Sequence, residues 1–477
     1  MTEPRELPAK TDVLVLGAGI AGHCAAITAA EAGAQTLFLE KTSQPGGSSS
    51  RAGGGFVFIG TDLQKAAGVE DDLETFRREI LEAGQYKNNP ELVDMRIKNQ
   101  LATYEFLRDH GVNFTLASLG KQPARFHVTG TGRAVPALHE TALKTPNLQY
   151  FANAAGVRLL RDEASGRVNG AIIAYQGREV KVEVARAVVL ATGGFSRSRK
   201  IMEIYVPEIA DAVKHGGPGN TGDGLIMGTA LGAGHADLGY VTGSFGGAIR
   251  NYPKAVDDSD DNPPLIFAFN IGAIMVNKNS ERFINEGQSY KAISPVGQKQ
   301  PDGLGFQIFD QKMMDEQSAD SSVNNFDKNL ADGYLRKADT IAEAAKLMNL
   351  DPAKLEAEVE RYNHDARTTG VDSKFGRKVA TNAKGELLTI DKPPFYIAAT
   401  ANAITSTYGG LAANGEMAIV DVFGKPIPGL FGAGEVVGGF HGALYFSGTS
   451  LPTAAISGCR AGERAAAFGQ TPAMANA

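Results

Sequence analysis

TDVLVLGAGIAGHCAAITAAEAGAQTLFLE, residues 11–40, is the stretch from which the fold can be read. Val13-Leu14-Val15-Leu16 is an apolar run of the kind that forms a parallel strand covered on both faces. Gly17, Gly19 and Gly22 follow in GxGxxG spacing, and an Ala-rich helical pattern runs from Ile20 to about Ala32. Gly33 ends that helix, Gln35 to Leu39 reads as a second strand, and Glu40 closes it 23 positions after Gly17. Strand, glycine turn, helix, strand and terminal acid in this order make a dinucleotide-binding unit. The first glycine permits a tight turn, the second lets the main chain approach a pyrophosphate, and the third lets the helix pack on the strand. Free N–H groups at the helix start attract the phosphates, and the carboxylate of Glu40 can accept hydrogen bonds from ribose hydroxyls. The stretch alone leaves FAD and NAD open.

A chain of 477 residues with 43% hydrophobic content can bury a large core and is expected to form more than one domain. With 47 basic and 53 acidic residues the net charge is −6, which argues against a nucleic-acid partner. No apolar run is long enough to span a bilayer, and MTEPRELPAK lacks the apolar centre of a signal peptide, so a soluble cytoplasmic protein is the expectation. Cys24 and Cys459 are the only cysteines and no CxxC occurs, so no dithiol couple is expected. The 57 glycines fall in short clusters, as if main chain were packed against a ligand.

The first cluster after Glu40 and Lys41 is Pro45 to Phe56, PGGSSSRAGGGF, whose amides and three hydroxyls could wrap a diphosphate and ring. Residues 71–114 carry helical periodicity, and Arg125-Phe126-His127 precedes a helix expected from Ala134 to Leu143. Strands are expected at Leu148–Ala152, Val157–Arg161, Val168–Tyr175, Glu179–Val184 and Ala187–Ala191, the last running into Thr192-Gly193-Gly194-Phe195. Asn220-Thr221-Gly222-Asp223-Gly224 then opens an apolar helical run. The character changes near Tyr240. Asp257 to Pro264 reads as a solvated acidic loop, Ile271–Val276 as a strand, and Thr340–Met348 and Pro352–Tyr362 as helices, the second capped by Asp351. The expected division is therefore a nucleotide-binding domain over 1–240 and 386–477, of Rossmann type in the α/β class, with an inserted α+β capping domain at 241–385. Glycine returns in Thr407-Tyr408-Gly409-Gly410 and in Gly429 to Glu435, before a helix from Ser450 to Phe468.

GAGIAG with Glu40, GGSSSRAGGG, ATGGF, GNTGDG, ERFINE, TYGGL and IPGLFGAGEVVGG followed by AGERAA stand in one order along the chain. In these pieces the chain resembles the FAD-dependent fumarate reductase and 3-ketosteroid dehydrogenase superfamily over essentially its whole length. The resemblance implies FAD rather than NAD. It is expected to be non-covalent, because the segment Gly47–Gly55 lacks the histidine that carries flavin in covalent relatives. Together with the glycine clusters it places the cofactor against Gly17, Gly19, Ala21, Gly22, Glu40, Lys41, Gly47, Ser48, Ser49, Ser50, Gly54 and Gly55. Further along the chain the expected contacts are Val157, Ala191, Thr192, Gly193, Gly222, Asp223, Tyr408, Gly434, Glu435, Ser450 and Leu451.

The departures from the carboxylate-reducing branch bear on function. That branch has a histidine before its TMGG and an arginine in its HGANR. Here the positions are Ser406 and, within His441-Gly442-Ala443-Leu444-Tyr445, Tyr445. A phenol replaces a guanidinium, which suits a neutral ketone oxygen better than a carboxylate. The resemblance to the ketosteroid branch implies that Tyr445 O–H and the Thr449 N–H polarise a carbonyl as an oxyanion hole does. It also implies that Tyr290 takes an α-proton while flavin N5 accepts the β-hydride; Arg282, close in sequence, would favour the phenolate if it is also close in space. The expected activity is thus an FAD-dependent dehydrogenase acting on CH–CH groups. It would desaturate a cyclic ketone, steroid-like or smaller, such as an oxocyclohexane carboxylate, and pass electrons to an external acceptor (quinone, dye or oxygen). The alternative is an ene-reductase in which Arg282 donates the proton. A third reading, a non-enzymatic flavin scaffold, finds no appended output module to support it. Arg125 and His127 could bind a substrate carboxylate or cap a helix, and His441 is expected to be structural.

Overall fold

In a computed structural model the described residues are 5–470 except 118–122, 131, 242, 254–262, 289, 318–320, 322 and 380–385. The acidic loop expected at Asp257 to Pro264 lies, through residue 262, outside the described residues.

The apolar run at the start becomes the strand Lys10–Leu16, and its last four residues are buried. It feeds the helix Ile20–Glu31 and then the strand Thr36–Leu39. The two strands pair in parallel, Val13 opposite Thr36 and Leu16 opposite Leu39. They lie within a larger sheet ordered Ala418–Val420, Pro426–Gly432, Arg178–Leu190, Lys10–Leu16, Thr36–Leu39, Leu148–Phe151. Five of these strands are parallel neighbours. Where they meet at the centre of the sheet, residues 13–16, 37–39, 187–190 and 430–432 are all apolar, as strands covered by helices on both faces must be.

Two strands expected at 179–184 and 187–191 are one strand, Arg178–Leu190. Nothing between them breaks the chain, since Ala185 and Arg186 carry no turn signal. Instead the strand changes partner. Residues 178–183 pair antiparallel with Val168–Tyr175 as the end of a meander, and residues 183–190 pair in parallel with Lys10–Leu16. The helical stretch near 71–114 divides into Leu73–Ala83 and Pro90–Asp109. The helix Ser450–Ala467 packs on Ile20–Glu31 so closely that a Cβ at Gly458 would lie 2.3 Å from the Ala21 carbonyl oxygen, and one at Gly462 2.4 Å from that of Ala25.

A second sheet is centred on the ten-residue strand Phe395–Ile404. Gly305–Asp310, Ser244–Ala248 and Arg336–Ala338 pair with it antiparallel, and Val213–Lys214 pairs with it in parallel. The strands at 395–404 and 213–214 lie outside the stretch 241–385 expected for the capping domain, so this sheet draws on chain from both sides of it. The helix Pro352–Thr368 is capped as its sequence foretells: the Asp351 side chain accepts from the amides of Ala353 and Lys354, with Pro352 at the first helical position. The helix Tyr290–Gln298 is fastened to the central strand by a hydrogen bond from Ser294 Oγ to Asn402 Oδ1 (2.8 Å). No helix among the described residues is long and apolar enough to cross a membrane.

Candidate active site

A cavity of about 920 Å³ runs from the first glycine turn to the underside of the second sheet. Its size is at the upper end for a cofactor or ligand site. At one end lies the turn between strand and helix. Gly17 has φ +104°, and a Cβ at Gly22 would stand 1.8 Å from the Gly17 carbonyl oxygen, so the tight turn and close packing both exclude a side chain. Glu40 closes the second strand and is bound on both oxygens. One accepts from the Ala18 amide (2.8 Å), the other from the Thr42 amide and hydroxyl (2.8 Å each). It therefore braces the turn while still lining the cavity. Lys41 is held by Thr221 Oγ1 (2.6 Å) and Asp223 (2.7 Å).

Gly47–Arg51 forms a short helical turn beside this end. Ser49 Oγ accepts from the Ile20 amide (3.1 Å), and Ser48 Oγ accepts from Gly217 N (3.0 Å) and Asn220 Nδ2 (2.9 Å). Glu435 accepts from Thr407 N (2.8 Å) and from Asn220 Nδ2 (3.1 Å), and burial pushes its pKa up. Asn220 and Thr407, which stand in the GNTGDG and TYGGL stretches but are not among the residues expected at the cofactor, thus tie four glycine-rich loops together.

Several features of this cavity fit FAD. A side chain at Gly19 would project beside Ser49 Oγ at 3.5 Å and Gly46 O at 3.9 Å, space that a diphosphate can use. Thr192 and Thr453 are among the residues lining the cavity, and their hydroxyl oxygens are buried with no hydrogen-bond partner among the described residues. Buried hydroxyls without partners are costly unless a ligand supplies one.

Of the residues expected at the cofactor, Gly17, Gly19, Ala21, Glu40, Lys41, Gly47, Ser48, Ser49, Ser50 and Gly55 line the cavity. So do Ala191, Thr192, Gly193, Asp223, Tyr408, Gly434, Glu435, Ser450 and Leu451. Gly22, Gly54, Val157 and Gly222 do not. Gly22 is turned against Gly17, and Val157 is exposed while its neighbour Gly156 lines the cavity.

The other end is aromatic. Tyr290 opens the helix Tyr290–Gln298, and Tyr445 lies in the loop after the last strand of the first sheet. Their hydroxyls are 3.0 Å apart and both residues line the cavity. The Phe267 ring stacks on Tyr290 at 5.2 Å, and Tyr408 and His441 contact the Tyr445 ring edge-on at 5.6 and 5.7 Å. The loop carrying Tyr445 is held by the break between two helices: Asn88 Nδ2 donates to Phe440 O (3.0 Å) and Ala443 N to Gly84 O (3.1 Å). Burial and the neighbouring phenols Tyr290 and Tyr408 raise the Tyr445 pKa, so its neutral O–H is the resting form. His441 lines the same wall. Burial, with Arg96 and Lys291 adding repulsion, lowers its pKa to about 3, so the imidazole is neutral.

Two expected catalytic groups are placed elsewhere. Arg282 does not line the cavity. Its side chain is fully buried and bound to Glu286 (2.8 and 2.6 Å) and Asp372 (2.6 Å). The two carboxylates hold its charge away from the cavity. The Thr449 amide, expected at a substrate carbonyl, donates to Phe446 O (3.2 Å), and its hydroxyl donates to the same oxygen (2.5 Å). Thr449 is fully buried and does not line the cavity. Arg125 is bound to Asp71 and Glu79, and His127 to Thr61 Oγ1 (2.7 Å). The alternation of their strand turns Phe126 and Val128 to the cavity instead. Lys291, which the sequence gave no reason to notice, donates to Tyr445 O (2.5 Å) and places its ammonium 3.4 Å from the centre of the Tyr445 ring.

The model of the FAD binding domain family matches residues 12–451. A urocanate reductase of Eggerthella lenta is 31% identical over 488 aligned residues, which cover 98% of this chain and 76% of that protein. The open conformation of a flavocytochrome c3 fumarate reductase superposes with a TM-score of 0.81 at 28% identity, covering 96% of this chain and 78% of that one. The 3-ketosteroid-Δ4-(5α)-dehydrogenase of Rhodococcus jostii superposes with a TM-score of 0.70 at 27% identity, covering 98% of each. The chain belongs to the FAD binding domain family, within the fumarate reductase and 3-ketosteroid dehydrogenase superfamily, and is an FAD-dependent oxidoreductase acting on CH–CH groups.

Proposed function

We propose that the enzyme introduces a C=C bond α,β to the carbonyl of a cyclic ketone. The observation that carries this reading is the hydroxyl pair Tyr290–Tyr445 at 3.0 Å in an aromatic cavity wall. FAD, when bound, supplies the acceptor for the β-hydride. The neutral Tyr445 O–H donates to the ketone oxygen and stabilises it as enolate charge develops. The Tyr290 oxygen takes the α-proton. Phe267, stacked on Tyr290, and Tyr408 offer flat apolar faces for a ring and keep water from the reacting carbons. The role first expected for the Thr449 amide is left to Tyr445 alone, because that amide already donates within its own turn. Among the described residues, the lysine and arginine lining the cavity are Lys41 and Arg51. Lys41 is bound to Asp223, and Arg51 donates to the carbonyls of His215 (3.3 Å) and Gly216 (3.2 Å). This supports a neutral oxygen rather than a carboxylate at the tyrosines.

The test mixes oxidised enzyme with cyclic ketones in the absence of oxygen. Flavin bleaching by a saturated ketone, and loss of solvent exchange at its α-carbon in Tyr290→Phe, are the expected results. Retained exchange in that variant removes Tyr290 as the base.

A second reading, reduction of an activated C=C bond, is favoured by the urocanate reductase and fumarate reductase likenesses. Tyr290 would then give the proton, since Arg282 is enclosed by carboxylates. Reoxidation of reduced enzyme by fumarate but not by cyclic enones would overturn the ketone reading in favour of an acid-reducing enzyme.

A further inference from the structure

Tyr290 and Lys291 are the first two residues of one helix, and both engage the same tyrosine of a distant loop. The phenol of Tyr290 meets the Tyr445 hydroxyl. The ammonium of Lys291 sits 3.4 Å from the Tyr445 ring centre and 5.8 Å from that of Tyr290, and donates to the Tyr445 carbonyl oxygen at 2.5 Å. The carbonyl contact fixes where the ring stands. The face contact sets a positive charge against it. A cation over an aromatic face is attracted to a neutral ring, and the attraction grows when the ring becomes a phenolate, because charge then meets charge.

The remaining groups around the pair supply no such help. Tyr408 and Phe267 are uncharged neighbours, and His441 is neutral. Arg96 acts on His441, and its guanidinium lies over the Phe76 ring at 5.3 Å. Burial and the adjoining phenols oppose ionisation of Tyr445. A base built from two phenols in this setting requires a nearby positive charge to give up a proton near neutral pH.

We infer that Lys291 is a positioning residue that fixes Tyr445 through its carbonyl and, as a cation beside both rings, favours the phenolate of Tyr290, the form that receives the substrate's α-proton while Tyr445 keeps the O–H offered to the ketone oxygen. The inference rests on the ketone reading for what the phenolate does, but not for its existence.

The experiment uses the FAD-loaded enzyme, Lys291→Met and Lys291→Arg, with two readouts. One is the ultraviolet difference titration of phenol ionisation, with Tyr290→Phe and Tyr445→Phe to identify the pair's signal. The other is the pH profile of deuterium exchange at the α-carbon of cyclohexanone with oxidised flavin. Removing an opposite charge at this range should raise the midpoint in Lys291→Met by about 1–2 pH units in both readouts and slow exchange at neutral pH about 10- to 100-fold. Lys291→Arg should restore most of the shift, and bound FAD should be unchanged. Lys291→Gln removes the same charge should the methionine variant fail to fold. Equal midpoints in wild type and the charge-removed variant overturn the inference. A shifted phenol titration in an enzyme that exchanges no ketone proton supports the lysine's role and sinks the ketone reading.

Discussion

Arg282 and Tyr290 are eight residues apart in one short stretch, and they end in opposite surroundings. Arg282 lies with Glu286, Asp372 and Arg377 in a cluster whose side chains are all fully buried. Burial pushes Asp372 up, but the hydrogen bonds and charge of Arg282 outweigh it and leave its pKa at about 2. Every charge there has a countercharge, so the cluster is a brace for the second sheet's surroundings and is closed to a substrate. Tyr290, beyond it, meets a phenol, a ring face and an ammonium at a cavity wall. The guanidinium expected beside the phenol is used up inside the fold. What remains at the wall is neutral oxygen with one charge behind it.

The largest effect should come from breaking the closed cluster. Arg282→Met removes the 2.6 Å ion pair of each of two buried carboxylates, leaving Glu286 to Arg377 (3.5 Å) and Asp372 to Arg361 (3.1 Å), and should lower stability by about 3–5 kcal/mol, read as a loss in thermal midpoint. The fraction that stays folded should turn over normally; a stable but inactive variant would reverse the comparison. At the wall, Tyr445→Phe should leave stability and bound FAD unchanged and reduce turnover roughly 10²- to 10³-fold, as steady-state kinetics would show.

A third, smaller effect sharpens the comparison with a buried group that has no countercharge. His23, fully buried in the first helix, has its pKa lowered to about 4, by burial first, against 6.5 when unfolded. Between those values the unfolded chain binds the extra proton. Stability is therefore retained above pH 6.5 and falls as pH drops toward 4, by about 1.4 kcal/mol per unit for this group. His23→Gln should flatten that slope in denaturant titrations at stepped pH. Smallest, Asp351→Ala removes the cap of the helix Pro352–Thr368, whose Arg361 also bonds Asp372 (3.1 Å), and should cost about 1 kcal/mol without altering turnover.

The unit at residues 11–40 was legible because its information is local: periodicity, glycine spacing and one acid at the right distance. The strand Val168–Tyr175 was legible for the same reason. Long-range closure was not. Asp372 is 90 residues from Arg282, and Tyr445 is 154 from Lys291, so neither partner could be read from spacing. Tyr290 and Tyr445 entered through a family motif, which names positions but not what surrounds them. That is why the motif also brought in Thr449, whose amide is spent in a turn. The strand Phe395–Ile404 pairs with strands from both sides of residue 241, and its apolar, alternation-free sequence does not say which sheet it joins.

The helix Ser450–Ala467 lies against Ile20–Glu31 with main chain nearly touching main chain, and its first residues line the cavity. During synthesis the glycine turn is made early, but the wall opposite it does not exist until some 430 further residues have been added (450 − 19 = 431). Flavin capture must therefore be a late event in biosynthesis, and a nascent chain halted before residue 450 should emerge colourless, however well its first strands have paired.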